Sequence, residues 1–326
     1  MPTDEILPQT ETTPLISFVI TTYNLPTSLL RECLDSVMAL PLNDAEREIV
    51  LVDDGSDESP MPALKDYADR ILYIRKQNGG QSTARNTGIH CCHGTYIQFI
   101  DGDDLLISPV YAHCVNLIRR EKPDMVLWRY ADVPEYDSEV TFEGPSEGSE
   151  YMLHHNLRVG PGGYVFKRSL LMGLRFREGI IMEDEEFTPL LFLRVESLYF
   201  TDAKAYYYRE REGSTMHKRD AGWIEKRLDN TLTVLLSLQE KADRMPYADR
   251  EALQRRIDQL TMDYVYNIMT LTGDPKSLEQ RVSVLHEHGL FPLPDRDYTS
   301  KYKRFRRMTK TRGGRNVLMK ILHKKA

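Results

Sequence analysis

No stretch of this sequence approaches the roughly 20 consecutive apolar residues that a bilayer-crossing helix needs, so no membrane span is expected. Cysteine is scarce. Cys33, Cys91, Cys92 and Cys114 form no Cys-x-x-Cys pair and stand at no zinc-knuckle spacing with histidine. That excludes a disulfide framework and a structural zinc site, and makes reduced thiols in a cytosolic compartment the expectation. Residues 1–14 are polar and acidic, with Pro2, Pro8 and Pro14 among them. They lack the basic start and apolar centre of a secretory signal and read as a flexible lead segment. No internal repeat is present. Acid is missing altogether from Lys301 to Ala326, which holds 11 of the 43 Lys and Arg and none of the 49 Asp and Glu. The first 300 residues therefore carry 32 basic groups against 49 acidic ones, a balance of −17 within a chain of net charge −6. The tail is a separate electrostatic object.

What is present is an ordinary globular composition, 41% hydrophobic and 28% charged over 326 residues, enough for one large α/β domain and an appendage. Strand and helix signals alternate. Ile16–Ile20 is a short β-rich run of the kind buried on both faces, followed by Thr21-Thr22-Tyr23-Asn24. Ser28 is placed to cap a helix whose apolar positions include Leu29, Leu30, Cys33, Leu34, Val37 and Met38. A second strand, Glu48–Val52, ends in Asp53-Asp54-Gly55-Ser56, and a third covers Ile71–Ile74 after a short helix near 61–69. A glycine loop at 77–82 leads to a helix over 83–92, and Pro109 fits the first turn of another that runs to about Arg120. Met125–Trp128 is a further strand. Residues 132–150 read as an excursion loop or edge hairpin, two short strands are expected near 197–209, and the pattern from Gly222 to about His288 is helical. Alternation of this kind predicts an open, mostly parallel central sheet with helices on both faces.

The most informative stretch is Tyr96-Ile97-Gln98-Phe99-Ile100-Asp101-Gly102-Asp103-Asp104, an apolar strand that runs into three carboxylates. Crowding them is costly unless something positive sits there, and Asp-x-Asp suits a divalent cation that also bridges a phosphate-bearing substrate. An acidic turn starting the next helix accounts for the same residues when they are taken alone. Three polar clusters, Thr21 to Asn24, Asp53 to Ser56 and Asp101 to Asp104, fall at C-terminal strand ends, where open parallel sheets bind ligands. Tyr23 among carboxylates and hydroxyls suits stacking on a nucleobase. In Asn78 to Gly88 the glycines expose backbone N–H groups before a helix, and Arg85 adds a cation one turn in, without the spacing of a dinucleotide or P-loop motif. Met182-Glu183-Asp184-Glu185-Glu186-Phe187 reads equally as a dipole-matched helix start or as a general base whose like-charged neighbours raise its proton affinity. Arg209, Arg211 and His217 close the sheet region and have the chemistry to meet phosphate or metal.

Five of these motifs, Ile16 to Asn24, Asp53 to Asp57, Asn78 to Gly88, Phe99 to Asp104 and Glu183-Asp184, together resemble in order and spacing the family 2 glycosyltransferases of the GT-A fold. The resemblance covers about residues 15–217. It implies a GT-A nucleotide-sugar-binding fold over those residues, beyond which the residue pattern itself reads as a helical region at 218–300 and a basic amphipathic tail at 301–326. It also implies an inverting transfer from a nucleotide-sugar, usually a UDP-sugar, to a hydroxyl of a glycan or lipid-linked acceptor in bacterial surface polysaccharide synthesis. Thr21, Tyr23, Asn24, Asp53, Asp54 and Asn78 would serve the nucleotide, Arg85 and Asn86 the phosphates or sugar, and Asp101 with Gly102 the donor. Asp101, Asp103 and His217 would hold Mn²⁺ or Mg²⁺. Asp184 would be the base, with Glu183 beside it.

Beyond the motifs, Tyr302, Phe305, Met308, Val317, Leu318, Met319, Ile321 and Leu322 interleave with the basic residues of the tail. That mixture suits a helix on an anionic membrane surface, and equally a solvated tail or a subunit contact. The expected location is cytoplasmic, at the inner face of the cell membrane. Nucleic acid is excluded as a partner because the acidic body repels it. A non-catalytic sugar-nucleotide-binding scaffold is the alternative. A sugar-nucleotide pyrophosphorylase is the remoter one, because the position after the first strand holds Thr-Thr-Tyr-Asn instead of a basic glycine loop.

Overall fold

Every residue of strand β1 (Ile16–Thr22) is buried, as a β-rich run covered on both faces requires. In the computed structural model, which describes residues 13–134, 139–211 and 220–323, β1 lies between β2 (Arg47–Asp53) and β4 (Tyr96–Asp101), parallel to both. β3 (Leu72–Arg75) extends the parallel set beyond β2. The remaining strands are β5 (Leu105–Leu106), β6 (Met125–Ala131), β7 (Glu143–Ser146), β8 (Tyr164–Lys167) and β9 (Leu198–Tyr207). Eight of them run in the order β3-β2-β1-β4-β8-β6-β9-β5. The sheet is parallel from β3 to β4 and antiparallel where β8 meets β4 and β6 and where β5 meets β9. One strand, β9, stands where two short ones were expected.

The helices follow from their apolar stripes and breakers. α1 (Thr27–Met38) buries Leu30, Cys33, Leu34 and Val37. Pro26, not Ser28, occupies its N-cap position, and no side chain caps it. α2 (Gln81–Cys91) begins directly after Gly80, whose φ of 89° is open to glycine at little cost. α2 packs so closely on the sheet that a Cβ on Gly88 would lie 2.1 Å from Cγ1 of Val19. Pro109 stands in the first turn of α3 (Ser108–Glu121), as its missing N–H allows. Phe18, Tyr111 and Trp128 form an aromatic seam, with centroids 6.1 and 5.2 Å apart.

The chain divides into two compact units. The first takes residues up to Gly144 together with Pro161–Met172 and Tyr199–Arg209. The second takes Pro145–Gly160, Gly173–Leu198 and the chain from Glu210 onward. The second unit is helical: α4 (Gly148–His154), α5 (Asp184–Phe192), α6 (Ala221–Ala242), α7 (Tyr247–Leu271), α8 (Pro275–Glu287), α9 (Ser300–Thr309) and α10 (Arg312–His323). α7 is its centre and packs against α4, α6, α8, α9 and α10. Arg255 of α7 donates to the carbonyls of Leu153 and His154, satisfying the C-terminal end of α4 at 2.6 and 3.3 Å. Among the described residues no helix is long and apolar enough to cross a membrane.

Candidate active site

Parallel register brings the polar strand ends of the first unit level with one another: Thr21 pairs with Asp101, and Thr22 with Asp53. Asp101 ends β4 and is held on one oxygen. Its Oδ1 accepts from Gln81 Nε2 at 2.8 Å, from Arg85 Nη2 at 2.9 Å and from Thr21 Oγ1 at 3.4 Å. The donors come from the first two turns of α2 and from β1, so the carboxylate is oriented by two elements at once. Gly102 continues the strand by donating to the Thr21 carbonyl at 2.9 Å. A Cβ there would press on that oxygen at 3.0 Å and on Leu25 and Leu30 at 3.2 Å.

The three carboxylates of the turn part company. Asp103 is half-buried, and its carbonyl accepts from Arg209 Nε at 2.9 Å. Asp104 is buried and turned inward, accepting from the Tyr206 hydroxyl at 2.6 Å and the Arg209 backbone N–H at 2.9 Å. Burial, with Asp101 and Asp103 nearby, pushes its pKa up to about 8 in spite of those donors. Asp104 thus fixes the shape of the turn. Among the described residues, no group of three or more His, Cys, Asp or Glu side chains gathers into a metal cage. His217 lies outside the described residues. The hard carboxylate oxygens of Asp101 and Asp103 do fit a cation that takes few protein ligands and fills its shell with phosphate oxygens and water.

Asp53 and Asp54 play different parts in the neighbouring loops. Asp53 is fully buried, accepting from the Ser56 N–H and the Tyr73 hydroxyl, both at 2.8 Å. Asp54 gathers the glycine loop around itself: Lys76 Nζ at 2.6 Å, Gly80 N at 2.7 Å and Gly79 N at 3.1 Å all donate to its carboxylate. Asn78 Nδ2 donates to the Asp54 carbonyl at 2.9 Å. Asn24, at φ 46°, clasps Asp57 through both ends of its amide, at 3.1 and 2.8 Å. Tyr23, half exposed beside it, presents an open ring. Asn86 follows Arg85 on α2 and is half-buried. Sequence reasoning missed Gln81 and Lys76 as organisers of this edge, although Gln81 stands in the glycine-loop stretch that it singled out and Lys76 just before it.

Glu183 and Asp184 belong to the second unit, at the start of α5. Met182, just before them, has a φ of 73°, a strained backbone for a residue with a side chain and of the kind that clusters at functional sites. Two of the four adjacent carboxylates are committed elsewhere. Glu185 pairs with Arg256 of α7, and Glu186 with Arg177, Ser237 and Lys241. Glu183 is buried, and Asp184 is half-buried with Oδ1 accepting from the Glu185 N–H at 3.1 Å.

A sheet with polar loops at its parallel strand ends and an Asp-x-Asp turn closing a central strand is the architecture of the GT-A fold. The model described as glycosyl transferase family 2 matches residues 17–162 of the chain. The chain is similar to the uncharacterized glycosyltransferase EpsJ of Bacillus subtilis, with 32% identity over 219 residues. That match covers 62% of this chain and 62% of the relative, less than two thirds of its length. Among solved structures it resembles S. aureus TarS 1–349 in complex with UDP-GlcNAc, with a TM-score of 0.65 at 16% identity, covering 95% of this chain and 91% of that one. It also resembles the mannosyltransferase PcManGT of Pyrobaculum calidifontis in complex with GDP-Man and Mn²⁺, with a TM-score of 0.57 at 15% identity, covering 95% and 87%. Likeness at such identities bears on the fold, which is GT-A.

Proposed function

We propose that the protein is an inverting, divalent-metal-dependent glycosyltransferase that moves a sugar from a nucleoside-diphosphate sugar to a hydroxyl of a glycan or lipid-linked acceptor in bacterial surface polysaccharide synthesis. Residues 15–217 form its transferase body, 218–300 a helical region and 301–326 a basic tail. The observation that carries the reading is Asp101, set at the end of β4 by Arg85, Gln81 and Thr21, with Asp103 two residues on. TarS and PcManGT were captured with a UDP-sugar and a GDP-sugar, which supports a nucleotide-sugar donor and leaves the base to be measured.

Each residue then has a task in the proposed reaction. Tyr23 stacks on the base, and the Asp53–Asp54 loop flanks it with the N–H groups of the glycine loop already folded. Asp103, with Asp101, would hold Mn²⁺ or Mg²⁺, which would supply neutralisation of the charge that develops on the departing nucleoside diphosphate. Asp184 accepts the proton of the acceptor hydroxyl, which attacks the anomeric carbon from the face opposite the leaving group, so configuration inverts. With the leaving group stabilised as an anion, no protein acid is required.

Isothermal titration of UDP and GDP, each with and without Mn²⁺, against the native protein and Asp103→Ala tests this reading. Manganese-dependent UDP binding, lost in the variant, is expected. Binding indifferent to metal, or binding of neither nucleotide, would overturn it in favour of a scaffold.

A further inference from the structure

Helices α9 and α10 are anchored on one side only. In α9, Tyr302, Phe305 and Thr309 face inward, while Lys303, Arg304, Arg307 and Lys310 share the opposite face and are exposed. Lys303 reaches Asp297 at 2.7 Å, a pair in which both side chains are well exposed. Arg304, Arg307 and Lys310 make no ion pair with the described residues. In α10, Leu318, Met319 and Arg315 face inward, and Arg315 is fixed by two bonds to Glu279, at 2.8 and 2.5 Å. The other face of α10 carries Gly313, Val317, Lys320 and Ile321 at helical spacing. Val317 is 55% exposed and Ile321 46%, yet Arg315, Leu318 and Met319 already tie the helix down without them.

Bare aliphatic side chains next to Lys320 on α10, with exposed cations on the neighbouring α9, match a surface that is anionic outside and apolar just beneath. A soluble polyanion answers the cations but gains nothing from Val317 and Ile321. We propose that α9 and α10 dock the protein on an anionic lipid surface, Arg304, Arg307, Lys310 and Lys320 meeting headgroup phosphates while Val317 and Ile321 enter the acyl boundary. The proposal stands on these helices alone and does not need the donor site.

The test is sedimentation of the full chain with vesicles of phosphatidylcholine, and of phosphatidylcholine with one third phosphatidylglycerol, at low and high salt. Binding to the anionic vesicles alone is expected. Arg304→Gln/Arg307→Gln/Lys310→Gln should weaken it on the order of a hundredfold. Val317→Ser/Ile321→Ser should weaken it roughly tenfold. Unchanged circular dichroism and UDP titration in both variants separate loss of docking from loss of fold. A wild type that binds neither UDP nor GDP yet sediments with anionic vesicles sinks the transferase reading and supports the docking. Equal sedimentation with both vesicle types, or with neither, overturns the docking. So does heparin binding as tight as vesicle binding and indifferent to the Val317/Ile321 change.

Discussion

Tyr206 ties the two ends of the Asp-x-Asp turn together. Its hydroxyl donates to Asp104 at 2.6 Å and accepts from the backbone N–H of Asp101 at 3.2 Å, with the ring edge-on to Tyr130 at 5.4 Å. Tyr206→Phe keeps the ring and strips two buried polar groups of their partner. An unsatisfied buried group costs about 1–3 kcal/mol, so urea denaturation should show a loss of about 2 kcal/mol. Donor KM should rise as the turn loosens, with Tyr23 and the Asp54 loop untouched. An unchanged midpoint and KM would show that the turn holds itself. None of this was legible from the motif. Asp101, Asp103 and Asp104 read alike in the sequence as one acidic cluster. The partner that draws Asp104 inward stands 102 positions away. Asp101 itself was legible, because an apolar run ending in Asp-x-Asp constrains its chemistry locally.

At the scale of elements, two contacts are exacting enough to test. Gly88 brings α2 onto β1, and Gly88→Ala must displace Val19, whose branched side chain in a strand has little room to turn. Overpacking of this kind costs about 1–3 kcal/mol, which a lowered thermal midpoint would report. The second contact joins α5 to α6. Burial alone would raise the pKa of Glu186, but hydrogen bonds from Arg177, Ser237 and Lys241 overcome it and hold the group at about 2. A carboxylate depressed in the folded state contributes stability that is whole above the unfolded value near 4.5 and fades as pH falls toward 2. The melting temperature should therefore drop between pH 5 and pH 3, and Glu186→Gln should flatten that slope while lowering the neutral-pH value. Elements with strong local signals were legible: β1, β2 and β4 from their continuous apolar runs, α3 from Pro109, and α5 from its acidic first turn. β9 is one strand where two were expected, and its polar Asp202 and Lys204 simply take outward positions of an alternating strand. α4 was missed, being seven residues long and opened by glycine and serine, and its C-terminal end is satisfied by Arg255 from far along the chain.

For the whole molecule, chain order and folding unit do not coincide. Strand β8 follows β6 in sequence but inserts antiparallel between β4 and β6, a choice made by long-range pairing that no local pattern carries. The second unit likewise draws α4 and α5 from the middle of the chain and closes them with α6 and α7. Glu186 meets Ser237 and Lys241, Glu185 meets Arg256, and Asn156 accepts from Gln259 at 2.5 Å. A chain ended at residue 217 keeps every transferase motif but leaves these groups without partners. It also removes α7 and α6, which pack on α4 and α5, the elements of Tyr151, Met152, Phe187, Leu191 and Phe192, all buried in the full chain. Losing that much apolar cover with several charge partners exceeds the few kcal/mol by which a domain is stable. The shortened chain should therefore aggregate, or be cut rapidly within 145–160 and 173–198 under limited proteolysis followed by mass spectrometry. The full chain should resist cleavage at the same sites. A soluble, equally resistant chain of 217 residues would mean that α4 and α5 hold their places without α6 and α7, and that the motif-bearing stretch is itself the folding unit.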